Sequence, residues 1–152
     1  MKILFLFLFF LLIAFNSNAD TKIQAFDSKE ISLPAGCIFK VGKDENSFQC
    51  TLNGGKDGSV FFRSPAEAKQ AEKQMLYNIE NRVLNDEGMH FDVETFKDTD
   101  GLQHFKIIAQ VNGRAVHHYE ICDTDACVGA TSRELKFVRF IISQISEKSL
   151  YE

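Results

Sequence analysis

Histidines and carboxylates are the side chains of this sequence that could take part in metal chemistry. His104 and His118 lie in a stretch of alternating apolar and polar residues that also contains Glu94 and Glu120. If the two histidines are diagonal neighbours on one sheet face, they lie roughly 7 Å apart, and imidazole with carboxylate is a ligand set for a transition metal. The competing interpretation is a solvated face with cross-strand ion pairs. We favour this second interpretation, because Lys106 lies in the middle of the proposed site.

The usual motifs of catalysis are absent from the chain. No G-x-S-x-G elbow accompanies its serines, and Asp98-Thr99-Asp100-Gly101 lacks the twelve-residue pattern of a calcium loop. The glycine-rich segment 53–58 has no G-K-[ST] ending for a phosphate. Asp92 and Glu94 fall on one strand face, but no cleft-forming feature marks them as an acid and a base. We therefore expect no catalytic residue, no cofactor and no bound metal.

The four cysteines of the chain predict two structural disulfides. Strand-like runs on both sides of the polar segment 42–47 form a hairpin in which Cys37 lies opposite Cys50, at a separation that a disulfide spans. Cys122 and Cys127 enclose four residues, a loop short enough to close at the end of a strand. Neither spacing is the C-x-x-C of a redox enzyme or of a zinc site.

The first 19 residues have the organisation of a cleavable signal peptide. Lys2 precedes the apolar run Ile3–Phe15, and Ser17-Asn18-Ala19 forms an A-x-A-like cleavage site. The run is too short for a helix that crosses a membrane, and no lipoprotein cysteine follows the cleavage site. The sequence thus predicts a signal peptide at 1–19 and one soluble globular domain at 20–152, located in the bacterial periplasm or secreted, with no membrane anchor.

Two helices and a three-stranded meander are predicted within this domain. Ser64-Pro65-Ala66-Glu67 is a capping box that begins the first helix, and Thr131-Ser132-Arg133-Glu134 is a similar box before the second. Between the helices, turns at 98–101 and 112–113 divide Met89–Cys122 into three strands. The expected fold class is α+β, in which the N-terminal disulfide hairpin and the meander form an antiparallel sheet with both helices packed on one face.

The register of the third meander strand depends on the turn at Asn112-Gly113. A two-residue turn would set Glu120 opposite Phe105 and bury a charge, whereas a three-residue loop with a bulge sets Tyr119 opposite Phe105. We expect the bulged loop, because a slip of one residue exchanges the two faces of a strand. His117 then lies on the core face.

Composition and charge predict a binding protein. The net charge of the chain is −4 and becomes more negative once Lys2 is removed with the signal peptide, which argues against nucleic acid and favours a basic partner. We expect an exported protein without catalytic activity, a periplasmic inhibitor or immunity-type protein that binds and neutralises another protein. The alternatives are a small apolar ligand held between the sheet and the helices, and a metal-dependent activity at the histidines. The partner-binding candidates are exposed acidic residues on turns: Asp44, Glu45, Asp98, Asp100, Asp123 and Asp125.

Overall fold

The fold was analysed in a computed structural model, which describes residues 21–26, 29–42, 46–52, 54–55, 57–83 and 88–146. The predicted signal peptide lies outside these ranges. The described elements are β1 (Thr21–Phe26), β2 (Lys29–Leu33), β3 (Cys37–Val41), β4 (Asn46–Thr51), β5 (Asp57–Arg63), α1 (Pro65–Val83), β6 (Met89–Lys97), β7 (Gln103–Val111), β8 (Arg114–Cys122), β9 (Cys127–Ser132) and α2 (Leu135–Ser143).

The protein is mostly β, so the α+β fold class expected from the sequence is wrong. Strand makes up 55% and helix 23%. Seven strands form one antiparallel sheet in the order β3-β4-β5-β9-β8-β7-β6, and β1 and β2 form a separate hairpin. The central strand β9, which joins the disulfide hairpin to the meander, is rich in small residues and was not predicted as a strand.

The two helices lie on opposite faces of the seven-stranded sheet, not on one face as expected. Face A is the side that α2 covers, and its core includes Val60, Tyr119 and Ile121. Face B is the other side, where Met75 and Ile79 of α1 lie beside β6 and β7. The helix α2 packs mainly on β8, β9 and β5, whereas α1 packs on β6.

The β1–β2 hairpin completes the core on face A. Ile31 and Leu33 are fully buried in the same cluster as α2. The side chain of Gln144 holds the hairpin at the end of α2: its Oε1 accepts a hydrogen bond from the Ser32 N–H at 2.7 Å, and its Nε2 donates to the Ser32 carbonyl at 3.2 Å. This pair satisfies both main-chain groups of one hairpin residue.

Several local predictions are confirmed. Ser64 and Glu67 form the predicted capping box at α1, in which Glu67 Oε2 accepts from the Ser64 N–H at 2.7 Å and Ser64 Oγ accepts from the Glu67 N–H at 3.3 Å. The disulfides Cys37–Cys50 and Cys122–Cys127 are both formed. They are typical of an oxidising environment outside the cytosol. The second predicted capping box is not formed, because β9 continues to Ser132 and the N-cap of α2 is Glu134, whose side chain makes no cap hydrogen bond.

The turn between β7 and β8 contains two residues rather than three. Val111 pairs with Arg114, and the intervening Asn112 and Gly113 have φ values of 51° and 73°. Two consecutive residues with positive φ define the type I′ turn that Asn-Gly favours. The predicted bulged loop is therefore wrong.

This turn fixes which β8 residues lie on each face. Glu120, and not Tyr119, lies opposite Phe105, while His118 lies opposite Ile107. Glu120 is nevertheless buried, with 2% of its surface exposed. The argument from burial failed here because an arginine on β5 neutralises this carboxylate within the protein.

Within the described residues, no helix is long and apolar enough to cross a membrane.

Candidate functional site

The three predicted acidic turns connect strands at the same end of the seven-stranded sheet. The pairs Val41↔Asn46 and Gln103↔Cys122 are the last pairs of their ladders at this end, and Arg63 pairs with Cys127 there. The turns β3–β4, β6–β7 and β8–β9 therefore emerge together, and we call this the turn end. Asp44 and Glu45 belong to the first of these turns but lie outside the described residues.

The β8–β9 turn is held by a disulfide and by its own main chain. Asp123 Oδ1 accepts hydrogen bonds from the N–H groups of Asp125 and Ala126, both at 2.7 Å. The Cys122–Cys127 bridge closes the base of the same turn. Because the Asp123 carboxylate is directed to the turn's own N–H groups, the exposed carboxylate of Asp125 is the better placed of the two for a partner.

The β6–β7 turn is built on Asp98, whose carboxylate is buried. Its Oδ1 accepts from the N–H groups of Asp100 and Leu102, each at 2.9 Å, and its Oδ2 lies 2.8 Å from His104 Nε2. Burial opposes ionisation of Asp98, but the hydrogen bonds from His104 and the main chain outweigh it and lower the pKa of the carboxyl. With 2% of its side chain exposed, Asp98 is not available to a partner, whereas Asp100 is exposed.

His104 joins this turn to the core on face A. Its Nδ1 shares a hydrogen bond of 2.9 Å with the Tyr119 hydroxyl, and its ring stacks on Phe96 at 4.5 Å between centroids. His104 and Tyr119 are both fully buried. The Asp98–His104–Tyr119 chain of hydrogen bonds has the residue types of a proton relay, and it connects the β6–β7 turn to the buried core.

His104 and His118 cannot share a metal ion, because the observed register places them on opposite faces of the sheet. On face A, His104 is buried among core residues; on face B, His118 stacks on Phe61 at 5.3 Å between centroids and shares a hydrogen bond of 2.8 Å with Thr131 Oγ1. The shared site considered from the sequence is therefore not formed, and Glu94 and Lys106 lie on face A, away from His118.

Face B buries an ion pair between Arg63 and Glu120. The Arg63 Nε lies 3.0 Å from Glu120 Oε1, and the guanidinium lies 4.3 Å from the centre of the Phe61 ring. The Glu120 carboxylate is also within 4.8 Å of the sulfur atoms of Cys122 and Cys127. Because these sulfurs are joined in a disulfide and are not thiolates, the group is not a metal site.

The ring of His118 is kept neutral by its surroundings. Burial, and then the positive charge of Arg63, lower the pKa of His118 from 6.5 to about 4. His118 also lines a groove of about 300 Å³ between α1 and face B. The other lining residues are predominantly apolar: Met75, Asn78, Ile79, Phe91, Ile107, Ala109, Val116 and Thr131.

No protein-family model matches the chain, and a search of curated proteins finds no similar protein. The geometry therefore has to support any functional conclusion without a relative. Sequence reasoning missed two features that matter here, namely the buried Arg63–Glu120 pair and the Asp98–His104 bond. The sequence did contain an indication of the Asp98–His104 bond, since an aspartate in a five-residue turn and a histidine six residues later face each other across that turn.

Proposed function

We propose that this protein is an exported binding protein without catalytic activity, which binds and neutralises another protein as a periplasmic inhibitor or an immunity-type protein does. The observation that carries the proposal is the turn end, where two fixed acidic turns, β6–β7 and β8–β9, lie at the same end of the sheet as the junction of β3 and β4. The two disulfides support export to an oxidising compartment.

The fixed turns suit a preformed binding surface. A turn that is closed by a disulfide or by internal hydrogen bonds has little conformational entropy left to lose when it docks. Asp100 and Asp125 are exposed on these turns. Their carboxylates would raise the association rate of a basic partner and would add little to the lifetime of the complex.

The size of the turn end is that of an ordinary protein interface. The β3–β4 and β6–β7 turns lie five strand spacings apart, or about 24 Å. A standard interface covers roughly 800 Å² on each partner, a patch of about this width. The partner we expect is a folded protein with a basic surface of similar width.

Charge reversal at the turn end tests this proposal. The partner is first captured from the native organism with the wild-type protein as bait, and its association rate is then measured at several salt concentrations. D100K/D125K should lower the association rate about tenfold or more at low salt and abolish its salt dependence. The matched control is E80K, an exposed glutamate on α1, which should leave the rate unchanged. Equal rates for the wild type and the double variant would refute the proposal.

A small apolar ligand is the second candidate function, and the groove beside His118 favours it. The sequence suggested a ligand held between the sheet and both helices; since the helices lie on opposite faces, the groove observed is the open apolar one between α1 and face B. Its volume of about 300 Å³ is at the lower limit for ligand pockets. The neutral dye N-phenyl-1-naphthylamine should gain fluorescence on binding there, and A109W should fill the groove and abolish the gain. Dye binding that A109W leaves unchanged would rule out this site.

A further inference from the structure

The two edges of the seven-stranded sheet differ in how they are protected from further strands. The edge strand β6 carries charged and imidazole side chains along its length, namely His90, Asp92, Glu94 and Lys97. The opposite edge, β3, has one charge, Lys40, and exposes three large apolar side chains. The exposed fractions are 66% for Ile38, 50% for Phe39 and 79% for Val41. Natural edge strands usually carry charges, prolines or bulges that prevent pairing, so among the described strands β3 is the edge that is open to it.

The main chain of β3 shows which groups face outward. Cys37 and Cys50 lie 3.9 Å apart between Cα atoms, the short separation of a non-hydrogen-bonded antiparallel pair. The adjacent Thr51 N–H donates to the Gly36 carbonyl, which places Gly36 in the alternating, hydrogen-bonded position. The N–H and C=O groups of Cys37, Phe39 and Val41 therefore point away from β4, toward a strand that would add to this edge.

We propose that β3 pairs with β3 of a second copy of the chain, antiparallel and centred on Phe39. In this register Phe39 lies opposite its own copy, and Cys37 lies opposite Val41 of the second copy. The outward-facing main-chain groups of all three residues are then satisfied by hydrogen bonds. A two-fold axis of this kind uses the same surface on both copies.

The side chains of β3 favour pairing with β3 of a second copy over pairing with an unrelated strand. Lys40 lies opposite Ile38 of the second copy, so no like charges meet, whereas centring the pair on Lys40 would set two lysines against each other. On face A, the Phe39 ring lies 5.0 Å from Phe48, which lies 6.3 Å from Phe62. The two-fold axis at Phe39 would extend these three rings into a continuous row of six.

The proposed dimer leaves the turn end accessible. Antiparallel pairing directs the turn ends of the two copies in opposite directions. The dimer is therefore an interaction separate from the proposed partner binding and does not compete with it. A pairing of five residues buries less than the roughly 1,000 Å² of a stable interface. The dimer should therefore dissociate on dilution.

Two substitutions at Ile38 test the dimer and its register together. The chain is produced with its own leader, purified with both disulfides formed, and examined by sedimentation velocity between about 1 µM and about 1 mM, the range in which weak complexes dissociate. The wild type should change from monomer to dimer across this range. I38K sets a lysine opposite Lys40 of the second copy and should remain monomeric, whereas I38E creates two ion pairs and should dimerise at least as strongly as the wild type.

Because Ile38 is exposed, both variants should fold, and far-UV circular dichroism checks this. A wild type that stays monomeric throughout overturns the proposal. A dimer that persists in I38K, or one that is lost equally in I38K and I38E, overturns the proposed register. Partner capture by I38K should equal that of the wild type, so failure of the dimer is distinguishable from failure of the proposed function.

Discussion

Face A and face B are formed by the same strands but bury different kinds of side chain. On face A, Tyr119 and Ile121 of β8 pack under α2 in a largely apolar core. On face B, the intervening residues of β8 are His118, beside Phe61, and Glu120, paired with Arg63. A strand covered on both sides does not alternate between buried and exposed residues, and the apolar pattern alone does not select its register. In β8, the polar side chains of face B are partnered within the protein, which makes their burial possible.

The largest effect is expected from breaking the ion pair of face B. Glu120→Gln should lower the free energy of unfolding by about 3 to 5 kcal/mol, because the Arg63 charge stays buried beside a neutral group. The control is Glu94→Gln, which neutralises a carboxylate that pairs with Lys106 and is 55% exposed. That change should cost less than about 1 kcal/mol. Urea titrations of the two variants compare them, and equal losses would contradict the contrast between the faces.

Lowering the pH should destabilise the fold, because it protonates His118 on face B. The pKa of His118 is about 4 in the folded protein and 6.5 in a free side chain. The unfolded chain therefore binds the proton first, and stability is lost as the pH falls from 6.5 toward 4, by at most roughly 3 kcal/mol. His118→Phe keeps a ring against Phe61 and should flatten this part of the stability profile. The free energy of unfolding of both proteins is measured by urea titration at pH 4 to 7. If it falls with decreasing pH as steeply in His118→Phe as in the wild type, other groups cause the acid sensitivity.

Two glycines allow a comparison of packing on the two faces. A Cβ added at Gly129 would lie 2.0 Å from the Phe61 ring on face B, and one added at Gly58 would lie 2.7 Å from Phe137 on face A. Phe61 is held between Arg63 and His118, so Gly129→Ala should cost about 3 kcal/mol and Gly58→Ala about 1 kcal/mol. Thermal unfolding of both variants measures the difference. A larger loss for Gly58→Ala would show face A to be the tighter side.

A smaller effect than those of Glu120→Gln and Gly129→Ala is expected for Asp98→Asn on face A. The amide keeps the turn's hydrogen bonds at Oδ1 but loses the charged bond to His104, at a cost of about 1 to 2 kcal/mol. The pKa of Asp98 is lowered by folding, so its contribution is present above the usual value of 3.8 and is lost as the pH falls below it. The difference between wild type and variant should therefore shrink below pH 4. A difference that is constant with pH would exclude an ionised Asp98 as its source.

Local features of this protein could be predicted from its sequence, and the features that depend on distant strands could not. The capping box at Ser64 and Glu67 and the Cys37–Cys50 hairpin are set by residues close together in the chain. Strand β9 was missed because Gly129 and Ala130 have weak β-propensity. The Phe61 ring occupies the space beside Gly129, so this position has to be a glycine because of a residue far away in sequence.

The bulged loop between β7 and β8 was predicted in place of the two-residue turn for a related reason. The rule that charges stay out of a core holds for an unpaired charge, and nothing near Glu120 in sequence indicates Arg63. At the candidate site, the sequence located Asp100 and Asp125 on exposed turns. It did not distinguish them from Asp98, whose burial follows from its bond to His104.

The central position of β9 determines the order in which this chain can fold. Gly58 of β5 pairs with Ser132, so the strand that joins the two halves of the sheet is the last one made. Before β9 is available, β5 and β8 both present open edges, and pairing across so many residues is slow. The seven-stranded sheet therefore cannot close until β9, the last of its strands along the chain, has been synthesised.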